Sequence, residues 1–562
     1  MAQIEFKDEF ADRVVWQAIQ NSDNLKDFEY YLRLFQDPVQ DSSACAAMDK
    51  VLHQSTSAKD PLVCFAGAFD GLFQATQSGD ASSRFYLAKC YALGLGVERN
   101  WKEAVKYYLL AGLDGDPRAY HNIARAYFDG DNEEQDYLKA AEYFEKAYDL
   151  GRDSQTVWML CRMHIHGLGY EKDVAKGIDL ITQEIEAGDA YARAIWGAML
   201  RNADGIPKED EAGWKHVLEA AKAGNAYAQY VAGYSYEFGY TVEKDFSEAV
   251  KWYLPAAEQG WNGAQDNLGI LYMLGQGTRR DGAEGIKWLK YAAFHGNASA
   301  ARKIGITYHD GIDAIPNTKE AAIWFEYAVE KGDESSLWRL ADLYDAGHGV
   351  EQDREKAHDL YFKSAKIGYA PSQFNIGLSY WVGKVIEQDL HLAKKWISVS
   401  AFQGYASAQV ALGDFYKDGI SCEVNLNKAL EWYKLGAEQG NIIGMERLGF
   451  VYLFGRGVDV DYAEAIYWLN QAADYGSAEA KFYIGEMLRR GLGVESNPGK
   501  ASSWFFAAAE AGHASAQFML GRMYADGEGL EVNHEEAVKW VHLAAEQDNE
   551  DAKKWILDQG KS

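Results

Sequence analysis

One loop of the chain has residues suited to binding a nucleotide. Its sequence GRGVDVD contains Gly455, Gly457 and Asp461, and a glycine-rich turn followed by an acidic residue holds dinucleotides in some enzymes. Such a turn follows a buried strand, whereas the preceding residues ERLGFVYLF indicate the end of a helix. Similar loops begin at Gly94, Gly347, Gly491 and Gly527 with a period of 36 residues, interrupted by one insertion. We therefore interpret the loop as part of a repeat and not as a phosphate site.

The best candidate for a metal site is the segment CRMHIHG, with Cys161, His164 and His166. Cys161 and His164 can share one face of a helix, but zinc sites use three or four ligands and no second ligand cluster is evident. His348 occupies a loop position that is Leu, Arg or Glu in sister loops, which predicts that it faces solvent. We expect no metal and no cofactor.

Motifs of catalysis are also missing from the sequence. It contains no G-x-S-x-G, H-E-x-x-H or Walker loop, and its many carboxylates are explained by helix caps and solvated faces rather than by an acid/base pair. We therefore predict no catalytic residues and a protein that is not an enzyme.

The composition indicates the kind of fold, and the net charge argues against two classes of partner. The chain has 562 residues, 48% of them hydrophobic, and only 8 Pro, which favours long uninterrupted helices around an ample core. Its net charge of -28 and pI near 4.9 argue against nucleic acid or anionic membranes as main partners, because both attract basic surfaces. A basic or neutral protein partner fits this charge better.

Neither end of the chain suggests export or membrane insertion. The first residues, MAQIEFKDEFADRVV, are charged throughout, and no apolar run is long enough to cross a bilayer. The 5 cysteines are odd in number and do not recur with the repeat, as expected for small core residues in a reducing compartment. We expect a cytoplasmic protein.

The repeat is defined by a glycine that closes each unit, taken here as position 1. These glycines are Gly79, Gly115, Gly151, Gly188, Gly224, Gly260, Gly296, Gly332, Gly368, Gly404, Gly440, Gly476 and Gly512. Every interval is 36 residues except one of 37, between Gly151 and Gly188, where one residue is inserted before Gly167. Each of the thirteen units is expected to contain a helix A, over about positions 3 to 14, and a helix B, over about positions 23 to 35. We expect the closing glycine to end helix B in a left-handed conformation.

Three positions of helix B repeat for physical reasons. Position 22 is Asp or Asn in twelve units and Glu209 in the remaining one, which predicts an N-cap. Position 26 is always Ala or Gly, as expected where two helix backbones approach closely. Position 29 is Trp in eight units, and because this stripe is periodic we interpret it as core and not as a cofactor site.

Together these positions resemble a known repeat. The pattern G-x-x-x-A-x-x-x-L-G-x-x-Y-x-x-G-x-G-V-x-x-D-x-x-x-A-x-x-W-Y-x-x-A-A-x-x-G is similar to the Sel1-like repeat, a relative of the tetratricopeptide repeat, over residues 79–548. The resemblance implies an all-α fold, an α/α superhelical solenoid of about 13 repeats of 36 residues, in which the A helices line the concave side. The loops of units four, seven, nine and ten depart from the pattern.

The two ends lie outside the regular repeats. Residues 1–41 are predicted to form an N-terminal helical cap, with a small partner-binding module as the alternative, because an array needs its first apolar face covered. Residues 42–78 resemble a degenerate repeat. Residues 549–562 supply a last helix A with no helix B, which predicts a C-terminal capping helix.

The A helices carry the candidate binding surface. Over positions 4 to 15 of all units they hold 16 basic residues, 12 of them Arg, and 12 acidic residues, so this surface is near neutral while the rest of the chain is acidic. Position 7 is aromatic in seven units, and aromatic residues and Arg anchor interfaces, although packing between neighbouring A helices explains position 7 equally. The candidate partner-binding residues are Phe85, Arg125, Trp158, Arg162, Tyr230, Tyr234, Trp338, Arg339, Phe374 and Arg522.

These observations predict a protein-interaction scaffold or adaptor that holds a protein segment or small domain in its groove. The partner is expected to be basic or to carry an acidic or extended segment. The alternative is a binder of glycans or peptidoglycan fragments in the cell envelope, because the resemblance includes envelope-associated proteins. The resemblance also implies a bacterial origin and leaves regulatory, virulence-linked and toxin-neutralising roles open.

Overall fold

A computed structural model describes residues 72–74, 76, 81–95, 97–130, 134–311 and 316–559. All regular structure in these residues is helical, and the chain divides into an N-terminal unit (1–336 with 348–350) and a C-terminal unit (337–347 with 351–562). The helices of the N-terminal unit are α1 (Ala81–Leu93), α2 (Trp101–Leu113), α3 (Pro117–Asp129), α4 (Tyr137–Leu150), α5 (Ser154–His166), α6 (Val174–Glu186), α7 (Ala190–Asn202), α8 (Asp210–Lys222), α9 (Ala226–Phe238), α10 (Phe246–Glu258), α11 (Asn262–Leu274), α12 (Gly282–Phe294), α13 (Ala298–Asp310) and α14 (Thr318–Glu330).

The C-terminal unit continues the same alternation of A and B helices. Its helices are α15 (Leu337–Ala346), α16 (Arg354–Lys366), α17 (Ala370–Val382), α18 (Leu390–Phe402), α19 (Ala406–Asp418), α20 (Leu426–Glu438), α21 (Ile442–Phe454), α22 (Tyr462–Asp474), α23 (Ala478–Arg490), α24 (Pro498–Glu510), α25 (Ala514–Asp526), α26 (His534–Glu546) and α27 (Glu550–Gln559). Odd-numbered helices are A helices and even-numbered helices are B helices. The predicted all-α repeat solenoid is confirmed, with thirteen A–B pairs in the described residues.

The predicted N-caps of the B helices are confirmed at atomic detail. In twelve units the Asp or Asn at position 22 accepts a backbone N–H of the first helical turn, as Asp245 does from Ser247 at 2.8 Å. Glu209 makes no such bond, because its longer side chain does not suit this geometry. The repeated acid of the loop is therefore a cap.

The second loop glycine is required by a close approach of backbones. A Cβ on Gly169 would lie 2.1 Å from the carbonyl oxygen of Tyr137, and one on Gly277 would lie 2.1 Å from that of Phe246. These loops thus pack against the first turn of the preceding unit's B helix, whereas the loop at Gly205 packs against Ile165 and His166 at the end of the preceding unit's A helix. The Gly-x-Gly motif is explained by this packing.

The closing glycines that the structure describes, which exclude Gly79, adopt the predicted left-handed conformation with one exception. Eleven of them, from Gly115 to Gly512, have φ between 82° and 101°, whereas Gly151 has φ -166° and is extended. The prediction was wrong at Gly151 because the inserted residue follows it. The chain needs a different path into α5 there.

Within each A–B pair, the two backbones touch where the sequence is restricted to small residues. A Cβ on Gly285 of α12 would lie 2.8 Å from the carbonyl oxygen of Gly269 of α11, which confirms the close approach expected at position 26. Position 10 of the A helix faces the large side chain at position 30 of the B helix, as Gly485 faces Phe505. Phe505 is fully buried.

The Trp stripe at position 29 lies in or against the core. Trp288, Trp324 and Trp540 are buried, and the remaining ones are partly buried. In the N-terminal unit Trp324 packs with Phe294 and Tyr327 at ring distances of 5.7 and 5.9 Å. The stripe is used for packing, as predicted.

A chain of glutamines, which the sequence did not reveal, also joins consecutive helices. Gln409 at position 6 donates to the carbonyl of Ala401 and accepts from Gln439 at position 36, at 2.7 Å. The same arrangement occurs in three other units, for Gln229 with Gln259, Gln373 with Gln403 and Gln517 with Gln547. It fails at Gln265, whose Oε1 is buried without a hydrogen-bond partner, because position 36 of that unit is His295.

The ends of the chain were predicted to cap the array. Helix α27 packs on α26, with Ala552 buried beside Val541 and Ala544. The predictions for residues 1–41, and for all of 42–78 apart from 72–74 and 76, lie outside the described residues. In the part of the chain that the structure describes, no helix is long and apolar enough to cross a bilayer.

We predict that Gly485→Ala destabilises the protein by about 1–3 kcal/mol, because the new Cβ would lie 2.8 Å from the buried Phe505 ring. Gly499→Ala is the matched control in the neighbouring helix α24, since its Cβ would meet nothing closer than 3.6 Å. This control should be neutral or stabilising by up to about 1 kcal/mol. Urea unfolding of the two variants measures the difference, and equal stabilities would contradict the close A–B contact.

We also predict that His295→Gln stabilises the N-terminal unit by about 0.5–1.5 kcal/mol, because it supplies the donor that Gln265 lacks. The reciprocal change Gln439→His should destabilise the C-terminal unit by a similar amount, since it removes the donor to Gln409. Thermal unfolding followed by circular dichroism measures both. Shifts of the same sign in both variants would refute the glutamine connection.

Candidate functional site

The A helices of consecutive repeats contact one another directly. They form a continuous face within the N-terminal unit and within the C-terminal unit. In the N-terminal unit His121 of α3 lies 2.9 Å from Thr156 of α5, and Lys303 of α13 lies 2.7 Å from Asp266 of α11. Arg201 of α7 donates to Ser235 of α9 at 3.1 Å. Residues at the same repeat position on these helices therefore lie in rows.

Aromatic residues at position 7 contact aromatic residues at position 2 of the next unit, stacked in two pairs and tilted or edge-to-face in the other two. The pairs and their ring distances are Tyr230–Trp261 at 6.0 Å, Trp338–Tyr369 at 5.3 Å, Phe374–Tyr405 at 5.6 Å and Phe482–His513 at 4.7 Å. Position 2 is aromatic only in these four of the described units, and always after an aromatic position 7. Position 7 therefore takes part in packing between neighbouring A helices.

This aromatic contact replaces a helix cap. Position 2 is the N-cap of each A helix, and Trp261, Tyr369 and Tyr405 make no side-chain capping bond. An N-cap contributes about 1 kcal/mol and an aromatic pair about 0.5–1.5 kcal/mol, so the exchange is nearly neutral. His513 does both: its ring stacks on Phe482 while its Nδ1 accepts the N–H of Ala516 at 3.0 Å.

Phe85 is almost completely buried. It is only 6% exposed and packs against Tyr108, with the Arg118 guanidinium 4.4 Å from the centroid of its ring. This packing leaves little of the Phe85 side chain exposed to a partner. Trp158 is partly buried between the cores around α4 and α6.

Tyr230 and Tyr234 belong to an aromatic cluster on α9 and the loop that follows it. Tyr234 lies 4.6 Å from Phe238 and 5.9 Å from Tyr240, measured between ring centroids. These three side chains are 38%, 49% and 52% exposed. Tyr230 is partly buried between Tyr253 and Trp261. The cluster is the largest group of exposed aromatic rings in contact with one another among the described residues.

In the C-terminal unit Trp338 and Arg339 form one stack. The Arg339 guanidinium lies 4.3 Å from the centroid of the Trp338 ring, whose stacking on Tyr369 was given above. Both residues are partly buried, and so is Phe374. A planar guanidinium on an aromatic ring keeps its edge available for hydrogen bonds.

The arginines at position 11 differ in how far their charge is compensated. Arg125 contacts Asp129 through Nε and Nη2 at 2.9 and 2.7 Å, and Arg522 contacts Asp526 at 3.2 Å. Arg162 forms no ion pair with any described residue, its Nε is buried without a hydrogen-bond partner, and its guanidinium lies 5.7 Å from the Phe128 ring. The residue four positions after Arg162 is His166 and not an acid, and His166 contacts Asp204 at 2.9 Å.

Some repeats of the C-terminal unit have an acidic residue at position 11, and Asp414 and Glu486 there have partners within the chain. Asp414 accepts from Tyr433 at 2.7 Å and from Arg447 at 3.2 Å. Glu486 lies 3.0 Å from Arg489 and 2.7 Å from Arg490. Their charge is therefore neutralised internally, unlike that of Arg162.

Sequence reasoning missed a polar network under the A face. Where position 30 is Tyr, its hydroxyl meets a polar residue at position 8 of the next unit or an acid of its own A helix. Tyr253 donates to Glu237 at 2.6 Å and accepts from Asn267 at 2.9 Å, and Tyr108 accepts from Asn122 at 3.2 Å. A detectable signal was present: each Tyr at position 30 precedes Asn or Arg at position 8 of the following unit.

The segment CRMHIHG does not assemble a metal site. Cys161 is fully buried, and burial raises the pKa of its thiol to about 12. His164 stacks on Tyr170 at 4.0 Å, and burial lowers its pKa. His166 turns to Asp204. Among the described residues, no three Cys, His, Asp or Glu side chains are placed to hold a metal ion.

A protein-family model described as the Sel1 repeat matches most of the chain. The matched residues are 81–116, 117–151, 156–189, 226–261, 263–297, 298–333, 335–369, 370–405, 406–441, 442–477, 478–513 and 514–549. Residues 190–225 are unmatched although α7 and α8 form the same helix pair. This unit has Ala203 in the left-handed position that ends helix A and Glu209 in place of the cap.

A solved structure supports the same assignment of the fold, and two further relatives share parts of the sequence. A protective antigen of uropathogenic Escherichia coli, c5321, is 27% identical with a TM-score of 0.64, over 82% of this chain and 91% of that one. A Sel1 repeat protein from Oxalobacter formigenes is 29% identical over 55% of this chain and 89% of that one, with a TM-score of 0.45. The mouse DAP3-binding cell death enhancer 1 is 40% identical over 65 residues, which are 12% of this chain and 13% of that protein.

We predict that Glu237→Gln stabilises the protein at pH 8 and leaves its stability unchanged at pH 4. Burial raises the pKa of Glu237, so the folded state holds this proton to higher pH than the unfolded state does. Its contribution to stability is full below pH about 4.3 and is lost as the pH rises through the raised pKa. Melting temperatures at both pH values test this, with the exposed Glu243→Gln as control. An equal effect at the two pH values would refute it.

Proposed function

The chain belongs to the Sel1 repeat family, whose members are generally protein-interaction scaffolds, and from this membership we propose that it is a non-enzymatic scaffold that binds a protein segment along its A helices. The observation that carries the proposal is the group of solvent-exposed aromatic rings on that face. Tyr234, Phe238 and Tyr240 are each more than one third exposed and touch one another. Exposed aromatic groups of this kind are characteristic of binding surfaces.

The helical framework supports this role because most chemically active groups are already engaged. The acids at position 22 cap helices, Cys161 and His164 of CRMHIHG are packed in the interior, and His166 contacts Asp204. What remains variable from unit to unit is the A face, where stacked aromatics, arginines and acids alternate. A scaffold needs such variation because neighbouring units then recognise different parts of one partner.

The ends of the array complete the proposal. We assign residues 549–562 to a C-terminal cap, which the burial of Ala552 and the full exposure of Glu550 and Asp551 on α27 support. Residues 1–41 are proposed to cover the other end and 42–78 to form a degenerate repeat. The binding surface then consists of the A helices between residues 81 and 526.

A display experiment tests the proposal against the glycan alternative. The immobilised full-length protein is panned against a random dodecapeptide phage library and, in parallel, probed on an array of bacterial and host glycans. We expect selected peptides to bind and to protect A helices, but not B helices, from hydrogen exchange. Glycan binding without any selected peptide would overturn the proposal in favour of the glycan alternative, and protection confined to B helices would refute the assigned face.

A further inference from the structure

One row of residues on the N-terminal unit changes character along its length. It consists of positions 11 and 15 on five consecutive A helices, α3 to α11, and we name it the A row. Its members are Arg125, Asp129, Arg162, His166, Ala198, Asn202, Tyr234, Phe238, Ile270 and Leu274. It is basic at α3 and α5, small at α7, and apolar at α9 and α11.

The row is continuous because each pair of consecutive A helices is in contact. His121 of α3 contacts Thr156 of α5, and Arg201 of α7 donates to Ser235 of α9. Between them, Ser154 at the start of α5 donates to Asp189, the N-cap of α7. Tyr230 of α9 contacts Trp261, the cap of α11. A ligand lying across these helices would therefore meet the members of the row in order.

The basic end holds a guanidinium that the protein itself does not neutralise. Arg162 has a buried Nε without a partner and no ion pair with any described residue. Its neighbour Arg125 pairs with Asp129, but the two side chains are 50% and 31% exposed, and such a pair contributes little and exchanges readily. Two arginines at the same position of consecutive A helices suit carboxylates, which guanidinium groups bind through paired hydrogen bonds.

The apolar end is exposed and is not covered by any described residue. Tyr234, Phe238 and Leu274 are 38%, 49% and 57% exposed. Ile270 on α11 is partly exposed beside them. An exposed cluster of large apolar side chains on a soluble face is a binding feature more often than a random one.

The same positions in the C-terminal unit show why the basic end is informative. There position 11 is acidic in three repeats, at Asp342, Asp414 and Glu486, and each of these accepts a hydrogen bond from a tyrosine or arginine of the same unit. These carboxylates therefore take part in hydrogen-bond networks within the C-terminal unit. The arginine that this unit has at position 11, Arg522, pairs with Asp526. Arg162 has no corresponding internal partner among the described residues, so its charge is left for a ligand.

We propose that the A row binds one extended peptide segment that has carboxylate side chains at one end and large apolar side chains at the other. The acidic end lies on Arg125 and Arg162, and the apolar end lies on Tyr234, Phe238 and Leu274. This inference rests on the proposed function and specifies the chemistry of the partner. It selects the acidic, extended partner over the basic one that the net charge of -28 favours.

The length of the segment follows from the spacing of the helices. Five A helices are separated by four steps of about 8–10 Å each, which gives about 35 Å. An extended chain covers about 3.3 Å per residue, so the segment has about 10–12 residues. The groups that contact Arg162 on α5 and Tyr234 on α9 are two helix steps apart, so about five residues separate them along the segment, which crosses α7 at the small Ala198.

The test uses the full-length protein and a random dodecapeptide phage library. Wild type is expected to select peptides with an acidic block and a separate apolar or aromatic block. The variant Arg125→Gln/Arg162→Gln should no longer select the acidic block, and Tyr234→Ala/Phe238→Ala should no longer select the apolar block. The matched control Arg279→Gln/Arg354→Gln removes two exposed arginines outside the row and should select the same peptides as wild type.

The contribution of the arginines to binding is then measured as a change in Kd. A fluorescein-labelled copy of the most enriched wild-type peptide is measured by fluorescence anisotropy, and Arg125→Gln/Arg162→Gln should weaken its Kd about tenfold or more, because two charge-assisted pairs are lost. The control should change it less than about twofold. Arg162→Lys keeps the charge without the planar fork and should give an intermediate value. Circular dichroism establishes that each variant is folded.

Three results would overturn the inference. Selection of basic peptides, or an affinity that is the same in wild type and Arg125→Gln/Arg162→Gln, would remove the basic end as a carboxylate site. Hydrogen-exchange protection of the wild type by the peptide on helices other than α3 to α11 would place binding elsewhere. In these cases peptides still bind and the proposed function stands, whereas the absence of any selected peptide would overturn both.

Discussion

The contact on which the structure depends is the one between position 10 of each A helix and positions 26 and 30 of its B helix. Only a small residue at positions 10 and 26 lets the backbones meet, as the 2.8 Å from a Cβ on Gly285 to the Gly269 carbonyl shows. With the backbones this close, the side chain at position 30 is enclosed completely, and it is below 2% exposed in Phe144, Phe325, Tyr433 and Phe505. The same close contact therefore sets the spacing between the A and B helices in each repeat.

An invariant core leaves variation to the edges of each repeat. Position 30 accepts Tyr as well as Phe or Leu because the hydroxyl reaches the A face, where Tyr253 meets Glu237 and Asn267. Position 2 can exchange a capping oxygen for a ring because the aromatic partner at position 7 compensates for the lost bond, as Phe374 does for Tyr405. These substitutions change the A face without moving the helices. The repeat can therefore alter its surface chemistry unit by unit at little cost in stability.

Much of this fold was predictable because its determinants are local. A capping Asp or Asn acts within three residues, and a small residue facing a large one lies within one helix pair, so a period of 36 residues reveals both. Contacts that join different units were harder to foresee. Three such contacts are made by the glutamine at position 6, the Tyr at position 30 and the aromatic ring at position 2. The partner of each lies in another repeat or at the other end of the same repeat. Such pairs become visible only when two positions are compared across units, as with Tyr108 and Asn122 or Tyr253 and Asn267.

The candidate surface was predicted less well for a related reason. Residue type alone does not separate an arginine that is neutralised from one that is not: Arg125, Arg162 and Arg522 occupy the same position, yet only Arg162 lacks a carboxylate neighbour among the described residues. The difference comes from the fourth residue along the helix, which is Asp129 or Asp526 in two cases and His166 in the third. A partly buried cation without a counter-charge is unfavourable in itself, which is why we propose that a ligand supplies the missing charge at Arg162. Under this proposal the net charge of -28 adds selectivity, since an acidic segment would be repelled by most of the surface and attracted only near Arg162.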